Sequence, residues 1–192
     1  MLPAVVLASW LAQAQPAPVA APPLTTAPQP PPAPLDNRVG VVFSYARQLG
    51  EEATNLGPPN GFGMGVSYQR RVLPLPNDFD MSAGGDYFFE KFSSNTRGEV
   101  EHNEFAATAA AAWHRSRLRP YAEVGVGFTV AYAGDTTIQP LVRTTAGLDI
   151  AVTRDIAVAM RVAYAHVFTN QTGAYSLASN LLDAGAGVAL GF

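Results

Sequence analysis

Eight charged side chains share one parity of the alternating segments in this chain: the carboxylates Asp80, Asp86, Glu90, Glu123, Asp149 and Asp183, and the guanidiniums Arg143 and Arg161. Enclosed in a narrow interior, such a set could line an ion path or form a switchable gate. A narrow interior is just wide enough for side chains, so the expected role is to fill it as a network of salt bridges and water. The excess of acids implies that the network is hydrated or partly protonated. The carboxylates are too scattered in sequence to be read as the pair that cleaves a glycosidic bond. No catalytic residue, metal ligand set or cofactor site follows from the other motifs. The chain has no cysteine, which removes disulfides and thiolate metal sites. No zinc-type spacing and no glycine-rich phosphate loop with its lysine is present, and the glycines recur with period two.

These charges have to be positioned by strands. From about residue 36 the chain alternates with period two, the pattern of a strand with two unlike faces. The alternation predicts strands at about 38–47, 61–70, 78–92, 104–113, 120–133, 140–151, 155–168 and 182–192. In the second, Phe62, Met64, Val66 and Tyr68 alternate with Gly61, Gly63, Gly65, Ser67 and Gln69. Phe88 is an exception in the third, a large ring on the face of small and charged residues. The fourth is rich in alanine and would suit a helix on propensity alone. Phe105 and Trp113 share parity there, and strand neighbours lie on both sides, so a strand is expected. Polar loops are expected at 48–60, 93–101 and 169–179, with shorter connections at 71–77, 114–119 and 152–155.

Ahead of this region, residues 1–14 read as an export signal. Their apolar stretch ends in the small-x-small pattern Ala12-Gln13-Ala14, although the usual positive charges are missing. Residues 15–35 form a Pro/Ala-rich linker that holds nine of the 16 prolines and cannot bury enough surface to fold. Only 14% of the 192 residues are charged, against roughly 25% in an ordinary soluble domain. The net charge of −3 gives no reason to expect a nucleic-acid partner. No apolar run is long enough for a transmembrane helix.

Each predicted strand meets or exceeds the roughly 9–11 residues that cross a bilayer at a tilt. An even number of antiparallel strands can close and leave no unpaired backbone edge in hydrocarbon. One face of these strands is Val, Leu, Ile, Met, Ala and aromatic; the other is Gly, Ser, Thr and Ala with a few charges. A soluble barrel such as a lipocalin keeps the apolar face inside. Large residues outside and small ones inside suit a narrow barrel in lipid. Tyr45, Phe62, Tyr68, Phe79, Phe89, Trp113, Tyr132, Tyr164 and Phe192 fall near strand ends, as interfacial girdles do. The fold class expected is all-β: an eight-stranded antiparallel up-and-down transmembrane β-barrel over residues 36–192.

With the alternation, the girdle aromatics and the segment 119–128 (Arg-Pro-Tyr-Ala-Glu-Val-Gly-Val-Gly-Phe), this region resembles the small bacterial outer-membrane barrels of the OmpA/OmpX type. The last strand, with Val188, Leu190 and Phe192 at alternate positions, resembles the C-terminal signal by which that family is read by the barrel-assembly machinery. The resemblance implies an outer-membrane protein bounded by lipid, with 1–14 removed on export and the linker in the periplasm. A monomer is expected. An even strand count then makes the longer loops extracellular, where they would act in envelope integrity or adhesion on a partner the sequence does not name. A narrow channel for small solutes is the alternative. Some barrels of this size are lipid A deacylases with a His-x-Ser-Asn segment. Here His166 has outward parity near the end of its strand, but Phe168 occupies the position of the serine, so the histidine has no hydroxyl to activate.

Overall fold

The computed structural model describes residues 36–49, 60–94, 98–114, 116–132, 136–168 and 180–192. Eight strands form from them: β1 (Asn37–Leu49), β2 (Asn60–Pro74), β3 (Phe79–Ser94), β4 (Gly98–Trp113), β5 (Leu118–Tyr132), β6 (Thr136–Ala151), β7 (Ile156–Val167) and β8 (Asn180–Gly191). Each pairs antiparallel with its sequence neighbours, and β8 returns to β1, so the sheet closes into a barrel. At the seam Asn37 and Phe192 exchange both backbone hydrogen bonds at 3.0 Å. The expected export signal at 1–14 and linker at 15–35 lie outside the described residues. So do most of the loop expected at 48–60 and all of that at 169–179.

Closure satisfies the backbone, and alternation then decides which side each residue takes. In β1, Val41, Phe43 and Tyr45 point outward, while Gly40, Val42, Ser44 and Ala46 are buried inside. Phe43 is 67% exposed and Phe62 72%, values that make sense only where the outer surface meets an apolar solvent. The outer aromatics fall into two groups. Tyr45 packs edge-on to Phe62 toward one end; Phe79 stacks on Trp113 toward the other. Along β1 and β2 the paired Tyr45 and Phe62 lie six residues from the paired Val39 and Tyr68. That is about 20 Å of strand, close to the height of an apolar band once tilt is allowed for.

The connections 75–78, 114–117 and 152–155 join strands at what we term the turn end; those at 50–59, 95–97, 133–135 and 169–179 join them at the loop end. The turns are built locally. Leu75 N–H donates to the Phe79 carbonyl at 2.8 Å, and Asn77 and Asp78 take the left-handed conformation (φ 62° and 64°), which these two residue types tolerate best after glycine. In the turn before β7, the Thr153 hydroxyl accepts from the backbone N–H groups of Asp155 and Ile156.

Three expectations need correction. β2 runs to Pro74, so residues 71–74 belong to a strand and not to the connection expected at 71–77. Of the loop expected at 93–101, residues 93–94 and 98–101 are strand: β3 runs to Ser94 and β4 starts at Gly98, six residues earlier than the alternation suggested. Lys91 bridges from β3 to Glu99 at 2.5 Å on this hairpin. Here the outer face carries Lys91, Glu99 and Glu101 while Val100 packs inward against buried apolar residues, so the apolar-out alternation is lost although the ladder continues. Similarly, Leu118 and Arg119 belong to β5 rather than to a basic turn at 114–119.

Candidate functional site

The interior is the one place where the described residues concentrate charge, and it is layered from end to end. Nearest the loop end, Ala46, Phe92, Leu141, Ala165, Val167 and Leu181 form a buried apolar cap drawn from β1, β3, β6, β7 and β8. Small residues on β1 and β7 leave room for the larger ones on β3, β6 and β8.

Beneath this cap lies an ionic lattice. Arg143 on β6 donates through Nη1 to Glu104 Oε2 at 2.5 Å and through Nη2 to Asp183, and Arg161 on β7 donates to the other Asp183 oxygen at 3.0 Å. Both guanidiniums also sit over the ring of Phe88, with Cζ 4.3 Å from its centroid for Arg143 and 3.8 Å for Arg161. Cation–π contact of this kind gains strength when water is excluded. Phe88 reaches this position by lying across Gly65, its partner on β2: a Cβ there would stand 1.7 Å from Phe88 Cε1. Two sequence features, an out-of-pattern phenylalanine and a strand glycine, thus serve one contact.

Around the lattice, Asp86, Glu90, His102, Thr108, Thr129 and the amide of Gln139 are buried without a hydrogen-bond partner among the described residues. Glu90 and His102 stand directly opposite one another on β3 and β4, as do Thr129 and Gln139 on β5 and β6. Buried polar atoms in such number call for internal water. Deeper, the Gln69 amide donates to Glu123.

The turn end is different. Arg38 grips Asp149 with two hydrogen bonds, Nε to Oδ2 at 2.7 Å and Nη2 to Oδ1 at 2.8 Å, and stacks near Tyr121. Asp80 receives Arg71 at 3.3 Å and lies 2.7 Å from His114 Nε2. These groups line a cavity of about 70 Å³ that opens at the turn end.

All eight charged residues expected to face inward are on the buried face, but they do not form one network. Arg143, Arg161 and Asp183 meet; Asp80, Asp149 and Glu123 each have separate partners; Asp86 and Glu90 have none among the described residues. The partners that complete the pairs, Glu104, Arg38, Arg71 and His114, were missed, as was His102. Each carries inward parity at the edge of a predicted strand or just beyond it, so following the parity to the strand ends would have found them. Val188, Leu190 and Phe192 are exposed on the outer face, with Val188 between Val41 and Val158. His166 is also outward; its Nδ1 lies 2.9 Å from Asn180 Oδ1 and its ring meets Phe168 edge-on at 4.8 Å. Among the described residues no group of three or more His, Asp or Glu side chains is placed to hold a metal ion.

This geometry is shared with known barrels. Neisserial surface protein A superposes with a TM-score of 0.59 at 17% identity, over 82% of this chain and 97% of that one. The outer membrane enzyme PagL gives 0.53 at 11% identity, covering 81% and 99% of the two chains. A de novo designed transmembrane β-barrel gives 0.52 at 18% identity, covering 84% and 99%. A comparison with protein-family models finds no match, and a comparison with curated proteins finds none either. At these identities the likeness is one of fold: the chain has the architecture of the small eight-stranded outer-membrane barrels. A surface protein, an enzyme and a design share it, so function has to be argued from the site.

Proposed function

We infer that this chain, with the fold of the small outer-membrane barrels, spans a bacterial outer membrane and has a structural or surface-binding role exerted through its loop-end connections. The observation that carries this is the filled interior. The apolar cap and the lattice of Glu104, Arg143, Asp183, Arg161 and Phe88 occupy the cross-section, with Arg143 only 2% exposed. A barrel sealed in this way offers its chemistry at the ends and to lipid, not along a pore. The even strand count supports loop-end connections outside the cell and turns in the periplasm.

Two measurements test the reading. Fractionation of cells expressing the full chain should place it in the outer membrane, with a mobility shift between unboiled and boiled samples. In planar bilayers it should give no discrete conductance; steady single-channel steps would favour the solute-channel alternative. The deacylase alternative is weakened by Phe168, which supplies no hydroxyl where one is needed. Lipid A from expressing cells should have the same mass with the unaltered chain as with His166→Ala.

A further inference from the structure

The turn-end cavity contains a guanidinium with two nitrogens that find no partner among the described residues. Arg119, on the inner face of β5, stands directly opposite Asp149 on β6, but both oxygens of Asp149 are already engaged by Arg38. The Nε and Nη2 groups of Arg119 are buried without a hydrogen-bond partner. An unpaired guanidinium with buried N–H groups carries a desolvation cost that an anion would offset. The chain ahead of Asp36, which leads into β1 at this end, brings no acid. Residues 1–35 contain none, and Glu51, Glu52 and Asp135 belong to connections at the loop end.

We propose that the turn-end mouth binds a phosphate group, held on the fork of Arg119 with Arg71 and Arg38 behind it. Within the cavity these three guanidiniums face Asp80 and Asp149, which leaves one positive charge, and His114 adds a second when protonated. At the rim Arg154 stands against Asp36 and Asp155, all three exposed and therefore screened. A volume of about 70 Å³ holds more than one water molecule, and a phosphate group has that scale. Arginine forks suit planar pairs of oxyanion oxygens better than a lysine would. Tyr121 forms one wall, its ring lying over Gly147, where a Cβ would come within 2.2 Å of Cζ. The site is a pocket at the mouth, separate from the sealed lattice above it.

Titration of the refolded full-length protein with inorganic phosphate should give saturable binding of one anion per chain. In the unaltered protein the Arg119 Nε resonance should move with the same midpoint. Arg119→Gln should weaken binding about tenfold or more, whereas Arg70→Gln, on the outer face at the same end, should change it less than about twofold. Arg119→Lys should be intermediate, since it keeps the charge and loses the fork. The source of the phosphate is read by moving the protein into phosphatidylglycerol vesicles free of inorganic phosphate. If the Nε resonance is already shifted there, the ligand is a lipid headgroup; if it shifts only on adding phosphate, it is a soluble anion. The proposal fails if neither source moves the resonance, or if Arg70→Gln and Arg119→Gln weaken binding equally.

Discussion

Arg143 with Asp183 and Arg38 with Asp149 are the same pair of side-chain types inside the same barrel, yet water reaches them very differently. Under the cap, the side chains of Arg143 and Asp183 are 2% and 4% exposed; at the turn end, those of Arg38 and Asp149 are 21% and 10% exposed. Phe92, Leu141, Val167 and Leu181 account for the first condition, an open cavity for the second. A charge left unpaired under the cap has no solvent to turn to, whereas one left unpaired at the mouth can recruit water or an anion. The first region is suited to holding the barrel shut, the second to binding.

The largest effect should come from Arg143→Met. It removes the shared donor to Glu104 and Asp183 and leaves both carboxylates buried, with Glu90 nearby. Breaking one partner of a buried pair costs about 3–5 kcal/mol. Equilibrium unfolding in urea, with the barrel in lipid vesicles, should show the midpoint fall accordingly. A loss below about 1 kcal/mol would place the lattice in the exposed class of ion pairs and undo the contrast between the two ends.

Gly65→Ala comes next and probes the same layer through packing. The new methyl would occupy the space of the Phe88 ring and push it off both guanidiniums. Overpacking of this kind costs about 1–3 kcal/mol. Combined with Phe88→Leu, the alanine should cost less than it does alone, so a double-mutant cycle should give a coupling energy of about 0.5 kcal/mol or more. Strict additivity would mean that Phe88 is not held by Gly65. As a further check, the Gly65→Ala barrel should remain non-conducting, because the cap is untouched.

The fold was legible because one physical rule, period two with a large-out and small-in bias, holds along every strand. Even the alanine-rich β4 obeyed it, since the parity of Phe105 and Trp113 overrode a helical propensity. Legibility failed where the rule lost its cause. Beyond the apolar belt, Glu99 and Glu101 face water on a continuing hairpin and looked like a loop. His102 and Glu104 are buried on the inner face instead, and were passed over because they sit at the edge of the clear alternation. Which acid meets which base was not readable at all. It depends on the stagger between strands, which brings Glu104 on β4 to Arg143 on β6, and Arg38 on β1 to Asp149 on β6, across the lumen rather than along a pair. Phe88 was visible as an anomaly, but its meaning needed the glycine opposite.

The smallest effect, and the one that joins both uses of the turn end, is expected from Arg38→Gln. Removing this guanidinium frees both oxygens of Asp149, and the nearest unpaired cation is Arg119, directly opposite on β5. The carboxylate therefore changes partner instead of losing one, and water enters the cavity as well. Stability should fall by no more than about 1 kcal/mol, the range of solvent-accessible pairs. Affinity for phosphate should fall much further, by about tenfold, because the released Asp149 neutralises Arg119 and competes with the anion for its N–H groups. The two readouts should thus separate in one variant. A large loss of stability together with unchanged phosphate binding would mean that the mouth pair supports the barrel as the lattice does, and that Arg119 is not the residue that holds the anion.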